Sequence, residues 1–413
     1  TQVRVNNVGG AGAQTVEGIK LIDVAGGSNG SFSLVGDYVF QGEQAVVAGA
    51  YAYRLYKNGV STPSDGDWYL RSALTDDGGP GPGPNPEPPP PLYQAGVPVY
   101  EAYAGALQAF NAVGTLHQRT GNRAWSGPQA ESSAPGEGLW VHAEGMDGRY
   151  RPEVTTSGTT YDLSAWKVEV GVDAVLAESA NGVLTGGVGM HYGRLTSDAS
   201  SIYGDGRIEI DGHGLAASMT WYGVNNVYVD GQARVALYQA DLYSRSLDQP
   251  LATGNDGQGY VLGVETGRRI VLGERWSLTP QAQLTYARTE FSNFQDAFGV
   301  PVSMEKDRSV MGRVGLAADY RNTWQGSAGA GSSRVYGVAN LYREFADGTS
   351  VDVSGTALAT RNEKLWGGLG LGGAVDWAGG RFSIYGEVLA KTGLDDFGDS
   401  HTLNGTLGFR MHW

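Results

Sequence analysis

The chain contains no cysteine. That excludes a disulfide scaffold and thiolate metal sites, and removes one route to trapping during export through an oxidising compartment. Positive charge is also scarce: the formal net charge is -14 and Lys and Arg form no stripe. Nucleic acid is therefore excluded as a partner, because phosphate binding needs a basic surface. No apolar run reaches the about 18 residues of a membrane helix. A transmembrane barrel would leave no such run, since its lipid-facing residues alternate with lumen residues. Residues 1–10 have neither the charged start nor the apolar core of a signal peptide. For an exported protein, that absence predicts a mature or truncated piece of a longer precursor.

What the chain has in surplus is glycine, 65 of 413 residues, with only 17% charged. Average usage is about 7% glycine. Without a collagen-like period, the surplus points to turns and to strands whose backbones must approach each other closely.

Residues 1–74 read as short β-rich runs broken by Gly and Asn, with Gly26-Gly27-Ser28-Asn29-Gly30 as a turn. That spacing suits the coils of a β-solenoid or a small sandwich. The pattern starts in mid-course, which predicts the end of a longer solenoid, capped by Tyr51, Tyr53, Leu55, Tyr56, Trp68 and Tyr69. Residues 75–98 hold Gly78-Gly79-Pro80-Gly81-Pro82-Gly83-Pro84 and Pro88 to Pro91, a linker whose prolines favour extended geometry.

At 99–121 the period becomes helical: Val99, Tyr103, Ala106, Phe110 and Val113 recur at three and four, and Gly121 supplies a stop. Glu101, Gln108, Asn111, His117 and Arg119 make the segment too polar for lipid, and its other positions are small. Residues 99–120, at about 1.5 Å each, span roughly 33 Å, about one hydrocarbon thickness. A slim polar helix of that length is expected to thread a wet lumen, touching the wall through Tyr103, Leu107, Phe110 and Asn111. The plainer alternative is a surface helix on a soluble sheet. A connector is expected at 122–137.

From Gly138 onward the period is two. Trp166, Val168, Val170 and Val172 alternate with Lys167, Glu169, Gly171 and Asp173, and Val310, Val314 and Leu316 alternate with Met311, Arg313 and Gly315. Charges on one face of so many strands would be ruinous in a sandwich core, yet cost little in a water-filled lumen. Twelve segments follow this rule between 138 and 413, an even number as bacterial barrels require. Long connections are expected after each odd segment and short ones after each even segment, with Asn322 to Ser332 a long exception. Ser350 to Gly355 is placed in a loop because a thirteenth strand would not close. Residues Leu403 to Trp413 close the series: Leu403, Gly405, Leu407, Phe409, Met411 and Trp413 lie on one face, with Asn404, Thr406, Gly408, Arg410 and His412 on the other. The fold expected is all-β: a 12-stranded antiparallel transmembrane β-barrel threaded by an α-helix and preceded by the end of a β-solenoid. Lys167, Glu169, Gly187, Gly189, Arg313, Gly368, Gly370, Gly372 and Arg410 are expected to face its lumen. Inward glycines, including Gly171, Gly315 and Gly408, should make room for an occupant, with the helix the candidate.

A solenoid end carrying Gly66-Asp67-Trp68-Tyr69-Leu70, a Pro-rich linker, a pore helix and a twelve-strand barrel ending on an aromatic together resemble an autotransporter of the pertactin and AIDA type. The stretches Leu278 to Leu284 and Ser309 to Leu316 are also similar to that family's barrel. The resemblance implies a barrel inserted in the outer-membrane lipid by the assembly machinery, with periplasmic chaperones as helpers. That machinery would read Leu403, Leu407, Phe409, Met411 and Trp413. It implies a passenger exported to the cell surface, where it could meet host molecules, and an autochaperone role for residues 1–74. Some relatives cut their passenger between paired asparagines in the pore helix. Here Asn111 is followed by Ala112, so that self-cleavage is not expected.

Other chemistry has little support. Gly26 to Gly30 fits a nucleophile elbow without the helix such an elbow needs. Gly368, Gly370 and Gly373 spell a dinucleotide fingerprint with no βαβ unit. Asp395, Asp396 and Asp399 lack the closing Glu of a calcium loop, and the six His residues form no metal-binding helix pair. No cofactor, metal or catalytic residue is expected. The alternatives to export are an outer-membrane barrel enzyme of lipase or protease type and a soluble β-rich adhesin.

Overall fold

In the computed structural model, the described residues are 1–74, 89–121, 137–306, 308–326 and 329–413. The first part carries seven short strands: β1 (Gln2–Arg4), β2 (Ile19–Ile22), β3 (Ser33–Val35), β4 (Tyr38–Phe40), β5 (Glu43–Ala48), β6 (Tyr51–Lys57) and β7 (Trp68–Arg71). Two helices follow, α1 (Val97–Phe110) and α2 (Leu116–Thr120). Next come β8 (Gly138–Tyr150), β9 (Val154–Thr155), β10 (Thr160–Ser179), β11 (Gly182–Ser201), β12 (Gly204–Gly223), β13 (Val227–Ser244) and β14 (Gln249–Arg268). The chain continues through β15 (Ile270–Val271), β16 (Trp276–Phe291), β17 (Phe294–Gln295), β18 (Pro301–Lys306), β19 (Arg308–Gly326) and β20 (Gly329–Glu344). It ends with β21 (Thr349–Val353), β22 (Thr356–Arg361), β23 (Leu365–Trp377), β24 (Phe382–Gly393) and β25 (His401–His412).

Twelve of these strands close a single antiparallel cylinder, in the order β8, β10 to β14, β16, β19, β20, β23, β24 and β25. The last strand pairs with the first, from His401↔Arg149 to His412↔Gly138, so the sheet has no free edge. The alternation on β10 shows how sequence sets the faces. Trp166, Val168, Val170 and Val172 point outward and are exposed, while Lys167, Glu169 and Asp173 point inward and are buried. Outward aromatics make two belts. Trp276 and Tyr320 (centroids 5.1 Å apart) and the group Trp377, Phe382 and Phe409 mark the lower one, while Trp166 with Tyr192 (5.6 Å) and Tyr260 with Tyr286 (6.0 Å) mark the upper one. The ten-residue step from Trp276 to Tyr286 on β16 is about 25 Å of height at usual strand rise and tilt, the thickness of a barrel's apolar band.

Connections differ from expectation in four places. After β11 and β13 they are tight rather than long, because the strands continue above the upper belt with charged outward residues such as Arg194 and Glu209, paired at 2.5 Å. Between β19 and β20 pairing runs down to Gly326↔Gly329, so residues 322–326 and 329–332 of the expected long connection are strand instead. Ser350 to Gly355 is not a loop: it belongs to the hairpin β21–β22, outside the wall. That hairpin joins a five-stranded sheet in the order β17-β18-β21-β22-β9, built from three upper connections and lying over the mouth of the barrel as a lid.

In the N-terminal unit β2-β7-β6-β5-β4 form one sheet, and β1 pairs in parallel with β3. Tyr53, Trp68 and Tyr69 of the expected cap are buried. Residues 75–88 and 122–136, which hold most of the expected linker and connector, lie outside the described residues. The described end of the linker is not free chain. Leu92 N donates to Ser72 O (2.8 Å), Ala52 N to Leu92 O (2.9 Å) and Gln94 N to Ala50 O (3.0 Å), and Leu92, Gln94 and Ala95 are buried. One apolar core runs from Phe40, Val47 and Ala52 through Leu92 and Tyr93 into α1, the upper wall and the lid residues Val302, Val351 and Leu358.

Candidate functional site

The lumen is occupied by α1, a short break and α2, where a single helix over 99–121 was expected. Pro98 suits the first turn of α1. The helix stops at Asn111 because that side chain is recruited by the wall. Its Nδ2 donates to Tyr260 O and Arg288 O (both 3.2 Å), and its Oδ1 accepts from Tyr238 OH (2.9 Å). A helix end leaves carbonyls unsatisfied, and here lumen cations and amides supply the donors. Lys167 Nζ reaches Phe110 O (3.2 Å), Arg234 reaches Ala112 O (3.0 Å), and Gln232 and Gln283 reach Gly114 O (3.2 and 3.3 Å). A capping box of Thr115 and Gln118 then restarts the chain as α2. Glu265 Oε2 accepts from Leu116 N (3.0 Å), which places a carboxylate at the positive helix start. At the far end Arg410 donates to Thr120 O (2.9 Å) and Tyr385 OH to Arg119 O (2.8 Å).

Ion pairs line the wall around this path. Arg119 of α2 pairs with Asp230, Arg234 with Glu169 (2.5 Å), Arg313 with Glu265 (3.1 Å) and Arg334 with Asp319, and all four carboxylates are buried. His117 sits between Gln281 (2.9 Å) and Arg334 (2.7 Å). Such groups are tolerated inside a membrane barrel because each is paired and hydrogen-bonded. The helix leaves a cavity of about 310 Å³ on the side of β8, β19, β24 and β25, bordered by Lys167, Arg313 and Lys391.

The four expected wall contacts of the helix all lie in the lumen. Tyr103 stacks on Phe291 (4.6 Å) and donates to Asn255 (3.1 Å), Leu107 is fully buried, and Phe110 faces Tyr238 (5.8 Å) beneath Lys167 Nζ (5.4 Å from its ring). Lys167, Glu169, Arg313 and Arg410 point inward, as described. The expected inward glycines also face the lumen, but they do not make room for the helix. A Cβ at Gly171 or Gly189 would meet the Trp140 ring, at Gly372 the Tyr336 ring and at Gly408 the Tyr385 ring. Gly187 faces Asp173, Gly315 faces Asn340, Gly368 faces Lys391 and Tyr342, and Gly370 faces Val338 and Leu389. These glycines receive bulky side chains from neighbouring strands. The helix instead packs on a different set, with Gly206 against Val99, Gly212 against Phe110 and Gly259 against Asn111. Leu403, Leu407 and Phe409 of β25 are exposed on the lipid face, and Trp413 lies just beyond it at the lower rim.

The upper mouth is held by Glu101, read from the sequence only as a polar position of the helix, and by Asp296, which the sequence reading did not single out. Glu101 on α1 accepts from Thr155 Oγ1 (3.1 Å), Thr156 N (2.8 Å), Ser157 N (3.1 Å) and Thr159 Oγ1 (3.1 Å), and also from Ser157 Oγ. Asp296, just after β17, accepts from Gln94 Nε2 and Tyr100 OH (both 2.8 Å) and from Phe298 N and Val300 N (both 2.9 Å). Glu101 breaks the helical apolar pattern, which is the one sequence signal it gave.

A closed cylinder with an oily outer band, a charged interior and a helix threaded through it defines an outer-membrane barrel carrying its own plug. Residues 139–388 match the Autotransporter beta-domain family and residues 1–55 the Autochaperone Domain Type 1 family. The chain belongs to the autotransporter β-domain family: its barrel is an outer-membrane translocator that exports a passenger to the cell surface. It is 48% identical over 422 residues to the Adhesin BmaC autotransporter of Brucella suis biovar 1 (strain 1330). That match covers 100% of this chain but only 12% of the relative. The fold resembles the transport unit of the autotransporter AIDA-I from Escherichia coli (TM-score 0.61, 15% identity, 76% of this chain and 99% of that one). It also resembles the translocator domain of NalP from Neisseria meningitidis (TM-score 0.56, 16% identity, 76% and 99%).

Proposed function

We propose that this barrel exports and anchors an adhesive passenger whose folded base is residues 1–74, acting as an autochaperone, and that the chain performs no catalysis. Residues 75–98 serve as linker, 99–121 as the pore segment and 122–137 as the connector to the wall. The observation that carries the reading is the course of the chain. It runs from the N-terminal unit at the upper rim, down through the lumen, and into β8 at the lower rim, as a translocated chain at rest would. The name of the Brucella relative favours adhesion to host surface molecules. The Asn111 amide is committed to two wall carbonyls, which favours a passenger that stays uncut in the pore.

Outward Leu403, Leu407, Phe409, Met411 and terminal Trp413 are the surface by which the barrel-assembly machinery takes up the strand, after periplasmic chaperones deliver it. Deleting Trp413 should abolish assembled barrel in membranes; full assembly without it would remove that role. A peptide tag placed before Thr1 should be reached by antibody on intact cells, and a tag found only in the periplasm would refute export.

A further inference from the structure

The lid sheet has two edges, β17 and β9, each only two residues long. A strand that short does not hold a sheet edge by itself. Each edge is tied instead to α1, and by adjacent residues. Tyr100 OH donates to Asp296, the residue after β17, at 2.8 Å, while the Glu101 carboxylate gathers Thr155 of β9 and the following turn through Thr156, Ser157 and Thr159. Tyr100, Glu101 and Asp296 are all buried. Two neighbouring residues on one helix thus grip opposite edges of the structure that covers the pore.

We propose that Tyr100 and Glu101 form a register stop for export: when this pair reaches the upper rim, it closes the lid and ends chain movement. The proposal rests on the export reading above. A chain passing outward presents many residue pairs at this level, but closure needs a hydroxyl donor beside a carboxylate acceptor. Tyr followed directly by Glu occurs once in the 413 residues, and no tyrosine before Tyr100 is followed by an acid. Within residues 1–99, therefore, no such pair is offered to both edges. A mispositioned segment leaves the lid's backbone amides and hydroxyls without their acceptor, at a cost that opens the sheet.

The test uses the absence of native cysteine. Val353, fully buried in the lid, is changed to Cys in the full chain refolded into lipid vesicles, and labelling by a polar maleimide is timed. Glu101→Ala should speed labelling by about tenfold or more, Tyr100→Phe by less, and Glu101→Gln, which keeps an acceptor, should stay near the parent rate. Pore conductance in planar bilayers should rise in the same order, while heat-modifiable migration on gels reports an intact barrel. Unchanged labelling and conductance in Glu101→Ala with an intact barrel would overturn the register stop. If that variant fails to fold, Tyr100→Phe decides, since it removes only one hydroxyl: parent-like labelling and conductance would overturn the proposal equally. Failure of the parent chain to insert at all would count against the export reading instead.

Discussion

Replacing Arg234 with alanine removes the link that ties the broken middle of the lumen segment to the wall. Arg234 pairs with Glu169 at 2.5 Å and donates to Ala112 O at 3.0 Å. Without it, Glu169 keeps the His142 ring at 3.8 Å and the through-space attraction of Lys167, but loses its hydrogen-bonded guanidinium. Breaking a buried pair by removing one partner costs about 3–5 kcal/mol, and the lost carbonyl bond adds about 1 kcal/mol. The lumen offsets part of this. A cavity of about 20 Å³ beside Glu169 and Arg234 is large enough for about one water, and the deleted side chain makes room for more. A net loss of about 3 kcal/mol is therefore expected, and at about 1.4 kcal/mol per factor of ten, amide exchange of α2 should speed by roughly 100-fold. Hydrogen exchange of the vesicle-bound protein reads this directly. Arg234→Lys should lose far less, since it keeps a cation for Glu169, and Arg234→Ala combined with Glu169→Ala should recover most of the loss. Exchange in Arg234→Ala equal to the parent would show that this pair does not hold the segment in the lumen.

Three further outcomes are expected. Val172→Arg places a cation on the lipid face near mid-depth and should destabilise the barrel by about 2–4 kcal/mol, read as a lower unfolding midpoint in vesicles, whereas lysine at the inward neighbour Gly171 should fail by clash with Trp140 rather than by charge. Gly372→Val should slow assembly because its Cβ meets the Tyr336 ring, and Tyr336→Phe, which loses the 2.7 Å bond to Glu387, should cost about 1.5–3 kcal/mol. In the N-terminal unit the Lys20 ammonium at 2.6 Å and Val24 N at 2.8 Å hold the Asp67 carboxyl below the usual aspartate range. Its stabilisation is present above the unfolded value of about 3.9 and lost as pH falls through the depressed folded value, so protection of β2 and β7 should drop under acid and lose that dependence in Asp67→Asn.

Much of the barrel was legible because its alternation is dictated by two solvents, oil outside and water within. β10 announces itself through Trp166 to Asp173 without any neighbour being known. Legibility failed where that contrast ends. Above the upper belt the contrast inverts, with Leu195, Ala199, Ile208 and Ile210 turned inward onto the apolar core around α1 and the outward face wet, so Arg194, Asp198 and Asp205 read as loop although they continue the strands. The lid strand at Thr349–Val353 has the right period but packs on α1 rather than on lipid, and alternation alone does not say which. The break at Asn111 was hidden for another reason. The residues that end the helix, Tyr238, Tyr260 and Arg288, lie more than a hundred positions away, and only the closed wall brings them together. The inward glycines were legible as notches, but the aromatic that fills each one depends on the register between strands.

The orientation of the wall is the claim everything else depends on, and single spin labels test it most directly. Placed at Val170, Leu215 or Leu284, which point outward, a label in the vesicle-bound protein should be relaxed by oxygen and shielded from a polar nickel chelate. Placed at Gln283 or Thr406, which border the lumen cavity, it should show the reverse. Polar access at the first three positions together with oxygen access at the other two would contradict the barrel as described.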